Sequence, residues 1–210
     1  MEIAQIVIVI AVIILSVVLH ELAHGVVAYW LGDRTAKEAG RLSLNPIKHI
    51  DPIMSILVPV VLYLMKAPVF GGAKPVPINP HNLKGKEWGM ALVALAGPFT
   101  NFVLAFIFFL IGHFTGVIYE SGLGGLFFYQ MVFTNIGFML FNLIPIPPLD
   151  GSRVLYAISP DGVRNFLMAM ETYGIIIIYT LIVVFGSTFS GAMVGGMNGI
   201  VSFFYWVVGR

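Results

Sequence analysis

Residues 3–30 read Ile3-Ala-Gln-Ile-Val-Ile-Val-Ile-Ala-Val-Ile-Ile-Leu-Ser-Val-Val-Leu-His-Glu-Leu-Ala-His-Gly-Val-Val-Ala-Tyr-Trp30. From Ile3 to Leu19 only Gln5 and Ser16 are polar, and the helical pattern runs on to Trp30 before Gly32 and Asp33 end it. The stretch exceeds the roughly 20 apolar residues that cross a bilayer's hydrocarbon core, so a transmembrane helix is expected over about 3–31. It has neither a basic leading region nor a small-residue cleavage site, and so reads as a permanent helix rather than a removable signal.

The rest of the chain has the same character. Of 210 residues, 59% are apolar and 10% charged, with a mean hydropathy of +0.95, whereas soluble domains carry about 25% charged residues. An integral membrane protein is expected. Eleven basic and ten acidic residues leave a net charge of +1, too little to hold phosphates, which excludes nucleic-acid binding as a main role. The chain has no cysteine, so disulfides, thiolate nucleophiles and Cys-type metal sites are excluded and any metal must rest on His, Asp or Glu. No long polar stretch interrupts it, and a single membrane-embedded domain over 1–210 is expected, without an attached soluble domain.

Further apolar runs are Ile53 to Met65, Met90 to Ile111, Leu126 to Ile144, Tyr173 to Phe185 and Met193 to Val208. The first is too short to span comfortably and carries Pro59 in its middle. Basic residues flank it on both sides, Arg34, Lys37, Arg41 and Lys48 before and Lys66, Lys74, Lys84 and Lys86 after, while residues 112–125 contain no Lys or Arg. By the positive-inside rule the run turns back, leaving both basic loops on the cytoplasmic face. The expected fold is an all-α polytopic membrane protein. Three core helices near 3–31, 90–111 and 126–144 are joined by a re-entrant region near 52–80 and followed by a C-terminal helical hairpin near 173–208.

His20, Glu21 and His24 lie inside the first helix, where an ionisable side chain costs roughly 2.5–3.5 kcal/mol on insertion scales. Residues four apart share a helical face, so His20 and His24 can offer imidazole nitrogens to one ion while Glu21 reaches a water beside it. With five His and six Glu in the chain, chance would produce this HExxH pattern on the order of 10⁻³ times. Zinc suits the ligand set: two imidazoles and a carboxylate, with a position left open for water. Among Asp33, Asp51, Asp150 and Asp161, Asp150 stands out as the third ligand, because Pro145, Pro147 and Pro148 before it preclude a regular helix and can aim its carboxylate sideways. Gly151 is expected to permit a turn after it. The site would sit roughly 16 Å below the helix end, about 11 residues at 1.5 Å each, so it needs a water path from the cytoplasmic side. Residues 70–80 and the proline-rich stretch before Asp150 are the candidate lining.

Four stretches resemble the site-2 protease family of intramembrane zinc metalloproteases, in its short form without PDZ or CBS domains. They are His20-Glu-Leu-Ala-His24, Gly71-Gly-Ala-Lys-Pro-Val-Pro-Ile-Asn79, Gly97-Pro-Phe-Thr-Asn101, and Asn142 through Gly151. The resemblance implies one zinc per chain on His20, His24 and Asp150, with Glu21 as general base. It also implies that Phe70 to Pro80 forms a short membrane-associated β-hairpin or extended loop that pairs with unwound substrate, involving Gly71, Gly72 and Pro75. Asn142 is a candidate for binding substrate backbone or the oxyanion, and equally for helix-to-helix hydrogen bonding. Asn101 reads as a packing or capping residue, and His49, His81 and His113 lack partners at ligand spacing.

The expected activity is hydrolysis of peptide bonds within transmembrane segments of other proteins, by a multi-pass protein of the cell membrane whose active site opens toward the cytoplasm. The partners are those substrates and the bilayer. The alternatives are a membrane zinc or proton transporter, which would show several sites and internal repeats, or an inactive scaffold that binds membrane segments. Substrate and oligomeric state are not encoded in any motif of the chain.

Overall fold

The structure, a computed structural model, describes residues 2–67 and 71–209; Phe70, the first residue of the expected loop, lies outside them. Three helices are long and apolar enough to cross a membrane: α1 (Glu2–Trp30), α4 (Lys86–Thr115) and α5 (Leu123–Asn142). Between α1 and α4 come α2 (Thr35–Glu38), a 3-10 turn (Pro46–His49), a π-helical stretch (Pro52–Leu57) running into α3 (Val58–Leu64), and a second 3-10 turn (Pro80–Asn82). After α5 follow α6 (Asp150–Ile158), α7 (Asp161–Glu171), α8 (Gly174–Val184) and α9 (Gly186–Val207). No strand occurs among the described residues. Of the two forms expected for the loop, residues 71–79 take the extended one.

The spans pack as a three-helix core, and their ends follow local chemistry. Helix α4 is longer than its apolar run because Gly85 and Gly116 adopt left-handed conformations, φ 82° and 80°, that only glycine takes cheaply and that begin and end the helix. Helix α5 stops at Asn142 rather than Ile144, since the residue before Pro145 is driven out of the helical region. Helix α8 has 11 residues and meets α7 at a bend of 81°. At about 1.5 Å per residue it is too short to cross a bilayer unaided.

The short apolar run 53–65 becomes a broken helix through its proline. Pro59 has no N–H to give the carbonyl of Met54, five residues back in π-helical register, and that carbonyl accepts instead from the N–H of Gly72 at 3.0 Å. Gly71 lies so close that a Cβ would come within 2.8 Å of Pro59 Cγ and 3.0 Å of the Met54 carbonyl. The extended segment is thus hung from the broken helix, and its other anchors follow one edge. The Gly72 carbonyl accepts from Ser55 Oγ at 2.6 Å, Lys74 N–H donates to the His49 carbonyl at 2.9 Å, and Arg41 donates to the Lys74 carbonyl at 2.8 Å.

Where α1 ends, Asp33 is fully buried and clasps the far end of the same segment. One carboxylate oxygen accepts from the N–H and hydroxyl of Thr35 and from Asn82 Nδ2, and the other accepts from Asn79 N–H at 2.7 Å. Burial alone would raise the pKa of this group, but the hydrogen bonds from Thr35, Asn79 and Asn82 outweigh it and hold the carboxyl below the usual range. Replacing Asp33 with Ala is expected to destabilise the protein by about 1–3 kcal/mol, read as a lowered unfolding midpoint in detergent. Because the folded-state pKa is the lower one, the wild-type contribution is complete above the ordinary carboxyl range and fades as pH falls through the depressed value. The Ala variant should therefore lose the acid-side part of the stability profile; an unchanged profile would discard the clasp.

Candidate metal centre

Helix α1 carries His20 and His24 one turn apart, and both are 7% exposed. Their rings stand at 88° with centroids 4.6 Å apart, so that the two Nε2 atoms meet at 3.0 Å. Asp150, first residue of α6, brings its carboxylate to the same point: Oδ2 is 3.2 Å from His20 Nε2 and Oδ1 is 3.4 Å from His24 Nε2. Ligand atoms of the three residues all lie within 4.8 Å of one another, the one such group among the described residues.

The protons explain what this cluster requires. His24 Nδ1 is 2.7 Å from the Val93 carbonyl, which only accepts, so Nδ1 carries the hydrogen and Nε2 a lone pair. His20 Nδ1 is 2.6 Å from Asn101 Oδ1, again an acceptor, because Asn101 Nδ2 is committed to Asn135 Oδ1 at 2.8 Å. As neutral rings the two imidazoles, with the carboxylate, point lone pairs at each other, and the buried Asp150 Oδ2 has no hydrogen-bond partner among the described residues. A single proton could relieve only one pair; a divalent cation relieves all three. Zinc bonds of about 2.0–2.1 Å in tetrahedral array would separate ligand atoms by roughly 3.3 Å, close to the 3.0 Å between the two imidazole nitrogens, and each carboxylate oxygen lies beside one of them, at 3.2 and 3.4 Å. The residues fit the ion.

Helix α4 closes the site from the opposite side. Gly97 lies against both rings: a Cβ there would be 2.5 Å from His20 Cε1 and from His24 Nε2. Pro98 follows, with no N–H for the Ala94 carbonyl, which thins the helix's own bonding beside the cavity. Helix α6 comes equally close to the end of α5, for a Cβ on Gly151 would sit 2.2 Å from the Leu143 carbonyl. Gly151 is therefore not the turn expected of it. It is helical, and its lack of a side chain lets Asp150 approach.

A cavity of about 300 Å³ opens on the cluster, lined by His20, Glu21 and His24 together with Pro75, Val76, Asn142 and Asp150, among others. Glu21 Oε2 accepts from the N–H of Val76 at 2.9 Å, tying the carboxylate to the extended segment. Asn142 Nδ2 donates to the Phe138 carbonyl at 3.0 Å, which uses one of its two hydrogens. Of the residues singled out from the sequence, His20, Glu21, His24, Asp150, Asn142 and Pro75 thus share one cavity. Gly71 and Gly72 do not line it; they pack against the broken helix. His49 donates to the Ser43 carbonyl at 2.8 Å and His113 pairs with the Tyr119 hydroxyl at 2.6 Å, both away from the cluster.

Asn101, expected to pack or cap, instead bonds a candidate ligand, and Asn135, which no sequence motif singles out, bonds Asn101 in turn. The available signal was a carboxamide in the middle of each of two apolar spans, where a polar group needs a partner.

Residues 8–121 match the model of peptidase family M50. The provisionally named zinc metalloprotease YwhC of Bacillus subtilis (strain 168) is 43% identical over 178 residues, covering 81% of this chain and 78% of the relative. The provisionally named zinc metalloprotease Rip2 of Mycolicibacterium smegmatis is 29% identical over 177 residues, covering 81% of this chain and 64% of that protein. No solved structure matches the chain significantly. The family match contains His20, Glu21, His24, Gly97 and Asn101 but ends before Asn142 and Asp150, which enter the site through geometry.

Proposed function

This chain belongs to peptidase family M50 and is a zinc metalloprotease of the site-2 type set in a membrane; on that footing we propose that it hydrolyses peptide bonds within the transmembrane segments of other proteins. The observation that carries the proposal is the convergence of His20, His24 and Asp150 on one point inside the three-helix core, beside a cavity that also holds Glu21. His20, His24 and Asp150 would hold one zinc ion. When bound, zinc acidifies a water and polarises a peptide carbonyl.

The chain's own groups would do the remaining work. Glu21 accepts a proton from the attacking water through its carboxylate and returns it to the leaving amine. Val76 N–H steadies that carboxylate from one side. Asn142 retains one Nδ2 hydrogen for the oxygen of the scissile carbonyl as charge develops there. A substrate helix must first expose an amide, and the extended segment that includes Gly71, Gly72 and Pro75 is the place beside the cavity where an unwound chain could lie. The basic loops flanking the broken helix support an opening on the cytoplasmic side of the cell membrane.

The test is reconstitution of the zinc-loaded protein in liposomes with a single-span peptide. Cleavage inside the span, lost together with bound zinc in Asp150→Ala, is expected. Zinc accumulation inside the vesicles without cleavage would replace the protease reading with a transporter.

A further inference from the structure

We infer that Asn135, on a helix that supplies none of the three candidate ligands, determines through Asn101 which ring nitrogen of His20 is left free to bind zinc. The inference rests on the zinc site proposed above.

The two histidines are held differently. His24 gives its Nδ1 hydrogen to a main-chain carbonyl, that of Val93, which cannot reverse its role. His20 gives its hydrogen to a side-chain amide, Asn101, which has an acceptor at one end and a donor at the other. A half-turn of that amide would present Nδ2 to His20, make Nδ1 the acceptor and move the ring hydrogen to Nε2. That atom points into the cluster, and protonated it binds no metal.

What prevents the half-turn is a directed chain of hydrogen bonds. Asn101 Nδ2 donates to Asn135 Oδ1 at 2.8 Å, so Asn101 stays in place only while Asn135 presents oxygen. Asn135 does so because its own Nδ2 spends both hydrogens elsewhere, on the Met131 carbonyl at 2.8 Å and on Ser16 Oγ at 2.9 Å. The Met131 carbonyl has no hydrogen to offer, and a reversed Asn135 would set oxygen against oxygen. Direction thus passes from the backbone of α5 through Asn135 and Asn101 to His20. Ser16, Asn101 and Asn135 are each 0% exposed, so water has no access to substitute for a missing partner. A carboxamide inside an apolar span costs free energy unless satisfied, and packing alone would favour an aliphatic residue at both positions.

The test uses the full chain with ¹⁵N-labelled histidine, first without zinc, at alkaline pH. The His20 signal is assigned by its loss in His20→Gln. The wild type should show the Nδ1–H form. Asn135→Leu should shift His20 toward the Nε2–H form and weaken zinc binding about 10–100-fold in a chelator competition. Asn135→Ala, which adds no bulk, reads the same effect if the Leu variant does not fold. Adding Asn101→Asp to Asn135→Leu should restore the Nδ1–H form, because a carboxylate accepts in either orientation. A His20 tautomer unchanged by loss of the Asn135 amide overturns the inference, however much stability the variant loses. Because the tautomer is read without metal or cleavage, the two readings fail separately. A tautomer that follows Asn135 in a protein that takes up no zinc would remove the zinc site and leave the relay, while zinc uptake with an unmoved tautomer would do the reverse.

Discussion

Glu21→Gln should leave the protein folded and loaded with zinc while lowering peptide-bond hydrolysis by about 10²–10⁴-fold, the span general-base catalysis supplies. The expectation of an intact site comes from the geometry around the carboxylate. Among the described residues its hydrogen bond is accepted from Val76 N–H at 2.9 Å, and the carbonyl oxygen of a glutamine can accept the same bond. The change is close to isosteric, and none of the ligand atoms of His20, His24 or Asp150 belongs to it. What the amide lacks is the ability to take a proton from water. Metal analysis and single-turnover cleavage on the same preparation would check both halves. A variant that still cleaved within about tenfold of wild type would remove Glu21 from its role, and one that lost zinc would show that the carboxylate helps to hold the ion.

Gly97→Ala carries the second large effect, through a single methyl group. The added carbon would stand 2.5 Å from His24 Nε2 and 2.6 Å from His20 Nε2, well inside van der Waals contact. Neither ring can swing away freely, because each is pinned at Nδ1, one by Val93 and one by Asn101. Overpacking of this kind costs roughly 1–3 kcal/mol, and here it is borne by the atoms that would meet the metal. Zinc affinity should fall about 10–100-fold, with hydrolysis following it at limiting zinc. Gly195→Ala is the matched control: it is also a glycine in a helix, but nothing lies within 4 Å of its would-be Cβ, and it should behave as wild type. Equal zinc affinity in the two variants would mean that α4 can draw back from the rings.

The parts of this site that were legible in the sequence are those that depend on short range or on scarcity. His20, Glu21 and His24 lie within five residues of one helix, and a charge inside so apolar a run has few explanations. Asp150 was reachable because only four aspartates exist and one of them follows a stretch no helix can use. The relay to His20 was not reachable in that way. Its bonds join residues 81, 34 and 119 positions apart, and a single asparagine in an apolar span does not announce which helix it faces. Gly97 was hidden for a similar reason: a glycine's importance lies in what presses against it, which here belongs to another helix. Gly151 was misread because Asp-Gly ordinarily marks a turn, whereas close contact with the Leu143 carbonyl is what excludes a side chain there.

The extended segment has a further consequence, for turnover. Gly72, Lys74 and Val76 already spend backbone groups on the protein itself. Among these anchors stand Pro75 and Pro77, which have no N–H to donate, and the Pro75 carbonyl already accepts from Arg41 at 3.3 Å. On the proposed reading, a polypeptide arriving alongside would find few hydrogens to receive, so pairing would not zip forward from one residue to the next. An enzyme that gripped an opened strand along its whole length would hold both halves after the cut. This segment, on the proposed reading, would offer a short handhold from which the pieces could fall away.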